Sequence, residues 1–383
     1  MNKRLYLSKS IALKIFLFFI GITCSLITYS QYQIGHTTIT FNDPLRTGGF
    51  GSNGGTGRQI QTEIYYPANT SGDNVSVASG RFPVITFGHG FAMAWSAYAT
   101  IWQHYAAKGY ILAFPRTEGG LIPGPSHGDF GTDLKQVSDK MLALDANLSS
   151  LFNGKILQKA AIIGHSMGGG ASFLAAANNS NIETVIGLAP AETNPSAIAA
   201  ASNVSVPALI FSGSADGVTP PAEHHIPIYN GLTSSCKSFV SISGGAHCYY
   251  ANTDFNCDFG ESVSSPSISI TRAAQQTAMF GLLDPWLDFK LKGICESYAA
   301  FILGIDSQTI GGYPKIATII SADISRLAHL RTGDQIEFKN FKIDDAIVIL
   351  KQKKLKLHRW IEGLKIQNWD NYSSHENNTY GST

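Results

Sequence analysis

From residue 31 onward, short runs of β-branched and aromatic residues alternate with longer amphipathic stretches. TEIYYP (62–67), FPVITFGHG (82–90), YILAFPR (110–116), AAIIGHS (160–166), TVIGLAP (184–190), PALIFSGS (207–214) and KSFVSIS (237–243) read as strands. Between them, SAYATIWQHYAAKG (96–109), FGTDLKQVSDKMLALDANLSS (130–150) and GGGASFLAAANN (168–179) read as helices. Near-continuous apolar strands alternating with helices predict an α/β fold, a mainly parallel, doubly wound sheet flanked by helices on both faces. The glycine-rich TGGFGSNGGTG (47–57) reads as a flexible loop before the first long strand. A phosphate-binding role for it fails, because no strand leads into it and no helix follows.

In such sheets functional groups gather at the carboxyl ends of strands. AIIGHSMGGG (161–170) carries Gly164-His165-Ser166-Met167-Gly168, a G-x-S-x-G pattern between a strand and a small-residue helix. Glycines let the chain turn sharply there and project the serine outward. A serine hydroxyl needs an imidazole to take its proton. Of eleven histidines, His247, in the glycine-flanked SGGAHCYY loop after the last strand, fits best. His127, His224 and His225 read as surface or packing residues. The orienting carboxylate is Asp216 in SGSADGVTP, after the strand between those of Ser166 and His247, giving the chain order Ser, Asp, His of α/β hydrolases. Asp254 and Asp258 follow the histidine and read as loop residues tied down by a nearby disulfide; NTDFNCDFGE has too few well-spaced ligands for calcium. The negative charge formed on an attacked ester carbonyl needs backbone donors. Met167, after the nucleophile, and Phe91, in the FGHGF segment, supply them, and their side chains would make an apolar floor for substrate.

A net charge of +1 with 14% charged residues gives no electrostatic footprint for nucleic acid or an anionic membrane. At 383 residues and 44% hydrophobic content the chain can build a sizeable core. Residues 1–30 combine a basic start (Lys3, Arg4, Lys9, Lys14) with the apolar IFLFFIGITCSLIT and read as a signal peptide for export. The apolar part falls short of the ~20 residues of a membrane span. Export leaves four cysteines, an even number where disulfides persist. Three pairings are open. Position favours Cys248 with Cys257, close together after His247. It favours Cys236 with Cys295, on the premise that the last helix packs back along the KSFVSIS strand and returns to its start. No spacing suggests zinc or another metal.

FGHGF, GHSMGGGAS, VIGLAPAETN, VPALIFSGSADGVTPP, IPIYN and ISGGAHCYYAN, in this order and spacing, make residues 31–298 resemble a bacterial cutinase-like polyester hydrolase of the dienelactone-hydrolase branch of α/β hydrolases, the group that includes polyethylene-terephthalate hydrolases. The resemblance implies Ser166, Asp216 and His247 as triad, Phe91 and Met167 as oxyanion donors, no cofactor, secretion, and a hydrophobic ester or polyester as substrate. We expect a monomer. The chain departs from the pattern after Ala189-Pro190. There the polyester hydrolases carry a tryptophan that stacks on an aromatic ring of the substrate, and this chain has Ala191, followed by Glu192. Such stacking is worth on the order of 1 kcal/mol. Trp95 or Trp102 would compensate only by facing the cleft. Two other readings stand beside this one: a small-ester carboxylesterase or lipase, and a non-catalytic binding protein on a hydrolase scaffold. The complete triad disfavours the second.

Residues 302–350, with DSQTIGGYPKIATIISADISRLAHLRTGDQIEF, are similar to the carboxyl end of the biotin-dependent carboxyltransferase and 5-oxoprolinase family. Only a fragment of that family's length is present, which predicts a small α+β piece over 299–357 with no activity of its own. Residues 358–383 read as a polar, disordered tail.

Overall fold

Strands that are apolar on both faces can only be satisfied inside a sheet covered on both sides, and the computed structural model builds that sheet. It describes residues 32–295 apart from Pro266, with Ser297 and Phe301. These residues belong to one of two units into which the chain divides. The expected signal peptide, the carboxyl-terminal fragment beyond Phe301 and the tail lie outside the described residues.

Ten strands form one sheet among the described residues. They are β1 (Gln33–Asp43), β2 (Gly49–Phe50), β3 (Arg58–Ala68), β4 (Gly72–Asp73), β5 (Phe82–Gly88), β6 (Ile111–Pro115), β7 (Ile156–His165), β8 (Thr184–Leu188), β9 (Ala208–Gly213) and β10 (Lys237–Ile242). The helices are α1 (Ala99–Ala107), α2 (His127–Ala143), α3 (Met167–Ala176), α4 (Ala197–Ala201), α5 (His225–Gly231), α6 (Phe255–Ser264) and α7 (Arg272–Lys292). Strand order is β10-β9-β8-β7-β5-β6-β3-β1-β4, with β2 beside β3. The run from β10 to β6 is parallel, and β3 pairs antiparallel with β6 and β1. Because β6 lies on one side of β5 and β7 on the other, the connections diverge between β5 and β7. That switch point is where an open α/β sheet leaves a crevice at its carboxyl edge, and it is where the FGHGF and GHSMG segments emerge.

Alternate residues of the strands serve two helical layers. Val84, Ile111 and Ile162 join Phe130, Leu134 and Phe173 of α2 and α3 in one core. Phe87 points the other way, its ring 4.7 Å from Tyr98 and 5.2 Å from Phe114. On that second face α1 and α7 are joined by His104 and Asp284 at 2.8 Å, and Trp286 donates to Thr184 Oγ1 at 3.0 Å.

Strand β1 was not among the strands expected, because its threonines and half-buried alternation hide it; it nonetheless pairs with β3 along its full length. A strand therefore does lead toward the glycine-rich segment, and that segment is not only a loop, since Gly49–Phe50 pairs with β3. Gly49 has φ +86°, and a Cβ there would sit 2.0 Å from the Gln59 carbonyl oxygen. No helix follows; the chain runs directly into β3.

The expected Cys236–Cys295 bridge is absent. Cys248 and Cys257 pair, whereas Cys236 and Cys295 are free thiols. The ammonium of Lys290 lies 3.2 Å from Cys236 Sγ. Helix α7 ends at Gly293, in a left-handed conformation that turns the chain away, and Cys295 beyond it is exposed.

A buried ionic cluster fastens the loop before α2. Asp133 on α2 is fully buried and receives Arg58 Nε (2.9 Å) and Nη2 (2.8 Å) and Arg46 Nη2 (2.6 Å). Arg58 also holds Glu118, which accepts the Ser126 N–H at the head of α2. Removing one partner of such a cluster leaves uncompensated charge in the interior. Asp133→Ala is therefore expected to destabilise the fold by about 3–5 kcal/mol, read as a lower urea midpoint at unchanged m-value.

Candidate active site

Ser166 stands at the break between β7 and α3 with φ 55° and ψ −120°, a backbone conformation rarely adopted by residues with a side chain. Its N–H donates to Leu188 O (3.0 Å), and its carbonyl accepts from Gly170 N (3.0 Å) and Ala191 N (2.9 Å). The turn passes so close to its neighbours that side chains are excluded. A Cβ on Gly164 would lie 2.1 Å from Gly168 O, and one on Gly168 would lie 2.2 Å from Gly88 O. The second contact sets the first turn of α3 against the end of β5. Met167, the first residue of α3, has no intrahelical partner for its N–H, and this end of the helix carries partial positive charge. Phe91 follows Gly88-His89-Gly90 at the same edge of the sheet and is half exposed, at 50%. The Met167 side chain differs from the expected substrate floor: it is 3% exposed and packs in the core, so the exposed apolar surface comes from Phe91.

The loop carrying Phe91 is wired to the rest of the site. Gly90 N–H donates to Tyr98 OH (2.8 Å), and Tyr98 OH donates to His165 Nδ1 (2.9 Å). His165 Nε2–H donates to the backbone carbonyl of His247 (3.0 Å), and the two rings lie 4.8 Å apart. Burial, with the His247 charge nearby, pushes His165 down to about 3, so it stays neutral and serves as a fixed bridge.

Asp216 lies in the turn after β9 and is 4% exposed. Its Oδ1 accepts the N–H groups of Val218 (2.9 Å) and Thr219 (2.8 Å), and its Oδ2 lies 2.8 Å from His247 Nδ1. Burial is the largest influence on this carboxyl and raises its pKa. The His247 charge and hydrogen bond, with His225 and the Thr219 N–H, outweigh it and hold the group below its usual range. The loops of Asp216 and His247 touch through backbone, since a Cβ on Gly213 would lie 2.5 Å from Gly245 O.

His247 is held from behind by Glu261 of α6, a buried carboxylate that accepts the N–H of His247 (2.5 Å) and of Cys248 (2.9 Å). Burial raises the pKa of this carboxyl. The Cys248–Cys257 bridge ties the same stretch to the first turn of α6. Two groups of potential metal ligands, His165–His247–Cys257 and Cys248–Asp258–Glu261, each include a sulfur of this disulfide and so offer no thiolate there.

The structure thus brings Asp216 and His247 into hydrogen-bond contact and sets Phe91 and Met167 at the sheet edge that bears Ser166. Several neighbours escaped the sequence reading. His225 is fully buried, with Nδ1 2.8 Å from Ser212 Oγ and Nε2 3.0 Å from Thr219 Oγ1, which itself lies 3.0 Å from Asp216 Oδ2. The Asp-x-x-Thr spacing of ADGVTP is a turn signal that would have pointed to Thr219; nothing local marks His225 or Glu261. His224 Nδ1 accepts from Glu192 N, and His127 Nδ1 from Asn194 N. Asp258 belongs to helix α6 and not a loop, and pairs with Arg272, whereas Asp254 is the extended residue just before the helix and caps it. Ala191 lies beside Ser166 through its backbone contact, and each tryptophan has a ring face engaged by another residue. One face of Trp102 stacks on Tyr65 at 4.0 Å, and Arg116 covers Trp95 at 4.3 Å.

Comparison with known proteins places the chain in a family. The chain is similar to a bis(hydroxyethyl) terephthalate hydrolase of Streptomyces coelicolor, 27% identical over 217 residues, which cover 56% of this chain and 60% of the relative. It is similar to cutinase est1 of Thermobifida alba, 28% identical over 218 residues, 57% of this chain and 65% of the relative. A cutinase of Thermobifida fusca is 26% identical over 205 residues, 53% of this chain and 59% of the relative. The chain therefore spans less than two thirds of the length of these relatives. Residues 294–340 match the carboxyltransferase domain, subdomain A and B, a fragment at the place the sequence suggested. Residues 36–266, more than half of the chain and the whole of the site, match the PET hydrolase-like family, and the chain belongs to that family.

Proposed function

We propose that the protein is a secreted serine esterase that hydrolyses carboxylic esters, including polyesters, through an acyl-enzyme at Ser166. The observations that carry the reading are the 2.8 Å contact of Asp216 with His247 Nδ1 and a serine held in a strained strand-to-helix turn, next in the chain to His165, whose ring lies 4.8 Å from that of His247. With Nδ1 committed to Asp216, His247 has Nε2 left to take the Ser166 proton as Oγ attacks the ester carbonyl. The N–H groups of Phe91 and Met167 stabilise the resulting oxyanion. His247 then returns the proton to the departing alcohol. Water attacks the acyl-serine, giving its proton to His247, and the acid leaves as Ser166 Oγ recovers that proton. Export is supported by the amino-terminal pattern and by a cystine that an oxidising compartment would preserve.

Support for a polymeric substrate comes from α6. Phe255 (82% exposed), Phe259 (63%) and Val263 (73%) recur every four residues and so share one helical face. The helix is moored at both ends of the site, by Asn256 Nδ2 donating to Ala92 O (2.9 Å) and by Gly217 N donating to Ser265 Oγ (2.9 Å). The apolar face therefore runs from the Phe91 loop toward the Asp216 turn, where a hydrophobic chain or film would lie. The small-ester reading is favoured by Ala191, which provides no aromatic wall.

A polycaprolactone film and p-nitrophenyl butyrate separate the two. The triple variant Phe255→Ser, Phe259→Ser, Val263→Ser is expected to keep soluble-ester turnover within about twofold and to lose at least about tenfold in film hydrolysis, the loss of several buried apolar contacts. No film hydrolysis by the parent would leave the small-ester reading in its place, whereas equal film hydrolysis by variant and parent would keep the polyester reading and remove the α6 face from it.

A further inference from the structure

Beyond the three triad residues, the aspartate carries a second arm of hydrogen bonds whose proton directions can be counted. Thr219 Oγ1 lies 3.0 Å from Asp216 Oδ2, 3.0 Å from His225 Nε2, 2.8 Å from His247 Nδ1 and 3.5 Å from Ala189 O. A hydroxyl has one proton to donate. His247 Nδ1 carries its own hydrogen toward Asp216 and so cannot accept; of the remaining acceptors the Asp216 carboxylate is the charged one, so the proton points there and not at the neutral His225 or at Ala189. The contact with His225 Nε2 then requires that nitrogen to carry a hydrogen. A neutral imidazole with Nε2–H has a bare Nδ1, and Ser212 Oγ, 2.8 Å away, must donate to it. The chain therefore runs in one direction: Ser212 O–H to His225 Nδ1, His225 Nε2–H to Thr219 Oγ1, Thr219 O–H to Asp216 Oδ2. Burial pushes His225 down to about 3, in keeping with a neutral ring.

We propose that Thr219 and His225 are positioning residues that fix the catalytic carboxylate in the single orientation that meets His247. Oδ1 is already held by two backbone N–H groups of its own turn. Oδ2, which faces His247, gains from the protein a donor that water would otherwise supply, in a place where Asp216 and His225 are both closed to solvent. The arm also ties the carboxylate to two elements, since Ser212 lies on β9 and His225 opens α5.

This inference rests on the serine-triad reading, and the test keeps the two apart. On p-nitrophenyl butyrate, Thr219→Val, nearly isosteric and without the hydroxyl, is expected to lower kcat by about ten- to a hundredfold, the range of a hydrogen bond to a charged group, with KM within about twofold. Thr219→Ser restores the hydroxyl and is expected to bring kcat back to within about threefold of the parent. A Thr219→Val enzyme with kcat within twofold of the parent, or a serine variant no better than the valine one, overturns the positioning role. Nitrogen-15 chemical shifts of the unmutated protein at pH 7 supply a readout that needs no variant to fold. His225 is expected as the neutral Nε2–H tautomer, and a protonated ring or an Nδ1–H tautomer overturns the proposed chain. Loss of turnover in Ser166→Ala reports on the triad reading alone. If that variant stays active, the triad reading falls, whatever the Thr219 variants do.

Discussion

Replacing Ser166 by alanine is expected to lower kcat for p-nitrophenyl butyrate on the order of a millionfold while leaving the fold intact. The size follows from the step removed. Without Oγ no acyl-enzyme forms, and only a background reaction assisted by the oxyanion donors and substrate binding remains. The intact fold follows from the way Ser166 is held. Its backbone makes the contacts to Leu188, Gly170 and Ala191, and its hydroxyl caps no helix. Alanine meets the same φ of 55° at similar cost, since both residues carry a Cβ. Stopped activity with a melting temperature within a few degrees of the parent checks both parts; a similar loss of both would mean that the serine serves the fold.

Asp216→Asn is the second large effect, on the order of ten-thousandfold in kcat, again with the protein folded. The asparagine oxygen can keep the N–H groups of Val218 and Thr219 that Oδ1 now accepts. The amide nitrogen then faces His247 Nδ1 as a donor. That forces the imidazole hydrogen onto Nε2, the nitrogen that must be bare to take the serine proton. The loss should therefore appear in kcat with little change in KM, and Asp216→Asn combined with Ser166→Ala should be no worse than Ser166→Ala alone. An Asp216→Asn enzyme of near-parent kcat would mean that another carboxylate orients the histidine.

The parallel half of the sheet was legible because strands buried on both faces must be written as unbroken apolar runs, such as AAIIGH and ALIFSG. The ends of those runs singled out Ser166, Asp216 and His247, and the structure brings the last two to 2.8 Å. The pairing of Cys248 with Cys257 was within reach because the two are nine residues apart. Strand β1 was not legible, since a half-exposed antiparallel strand rich in threonine carries little hydrophobic signal. Glu261 and His225 reach the site from α6 and α5, and only tertiary packing reveals that a glutamate fourteen residues after His247 returns to hold its N–H. The Cys236–Cys295 expectation failed on a local event, the left-handed Gly293 that diverts the chain after α7.

The central claim is a covalent intermediate at Ser166, and intact mass spectrometry after treatment with an aryl dialkyl phosphate tests it most directly. Such a reagent phosphorylates an activated serine and releases the phenol. One dialkyl-phosphoryl group per chain, mapped by digestion to the peptide containing Gly164-His165-Ser166, absent from Ser166→Ala and formed in step with loss of esterase activity, is the predicted result. Undiminished ester turnover in protein that carries no adduct, or an adduct on another residue that accounts for the inactivation, would contradict it.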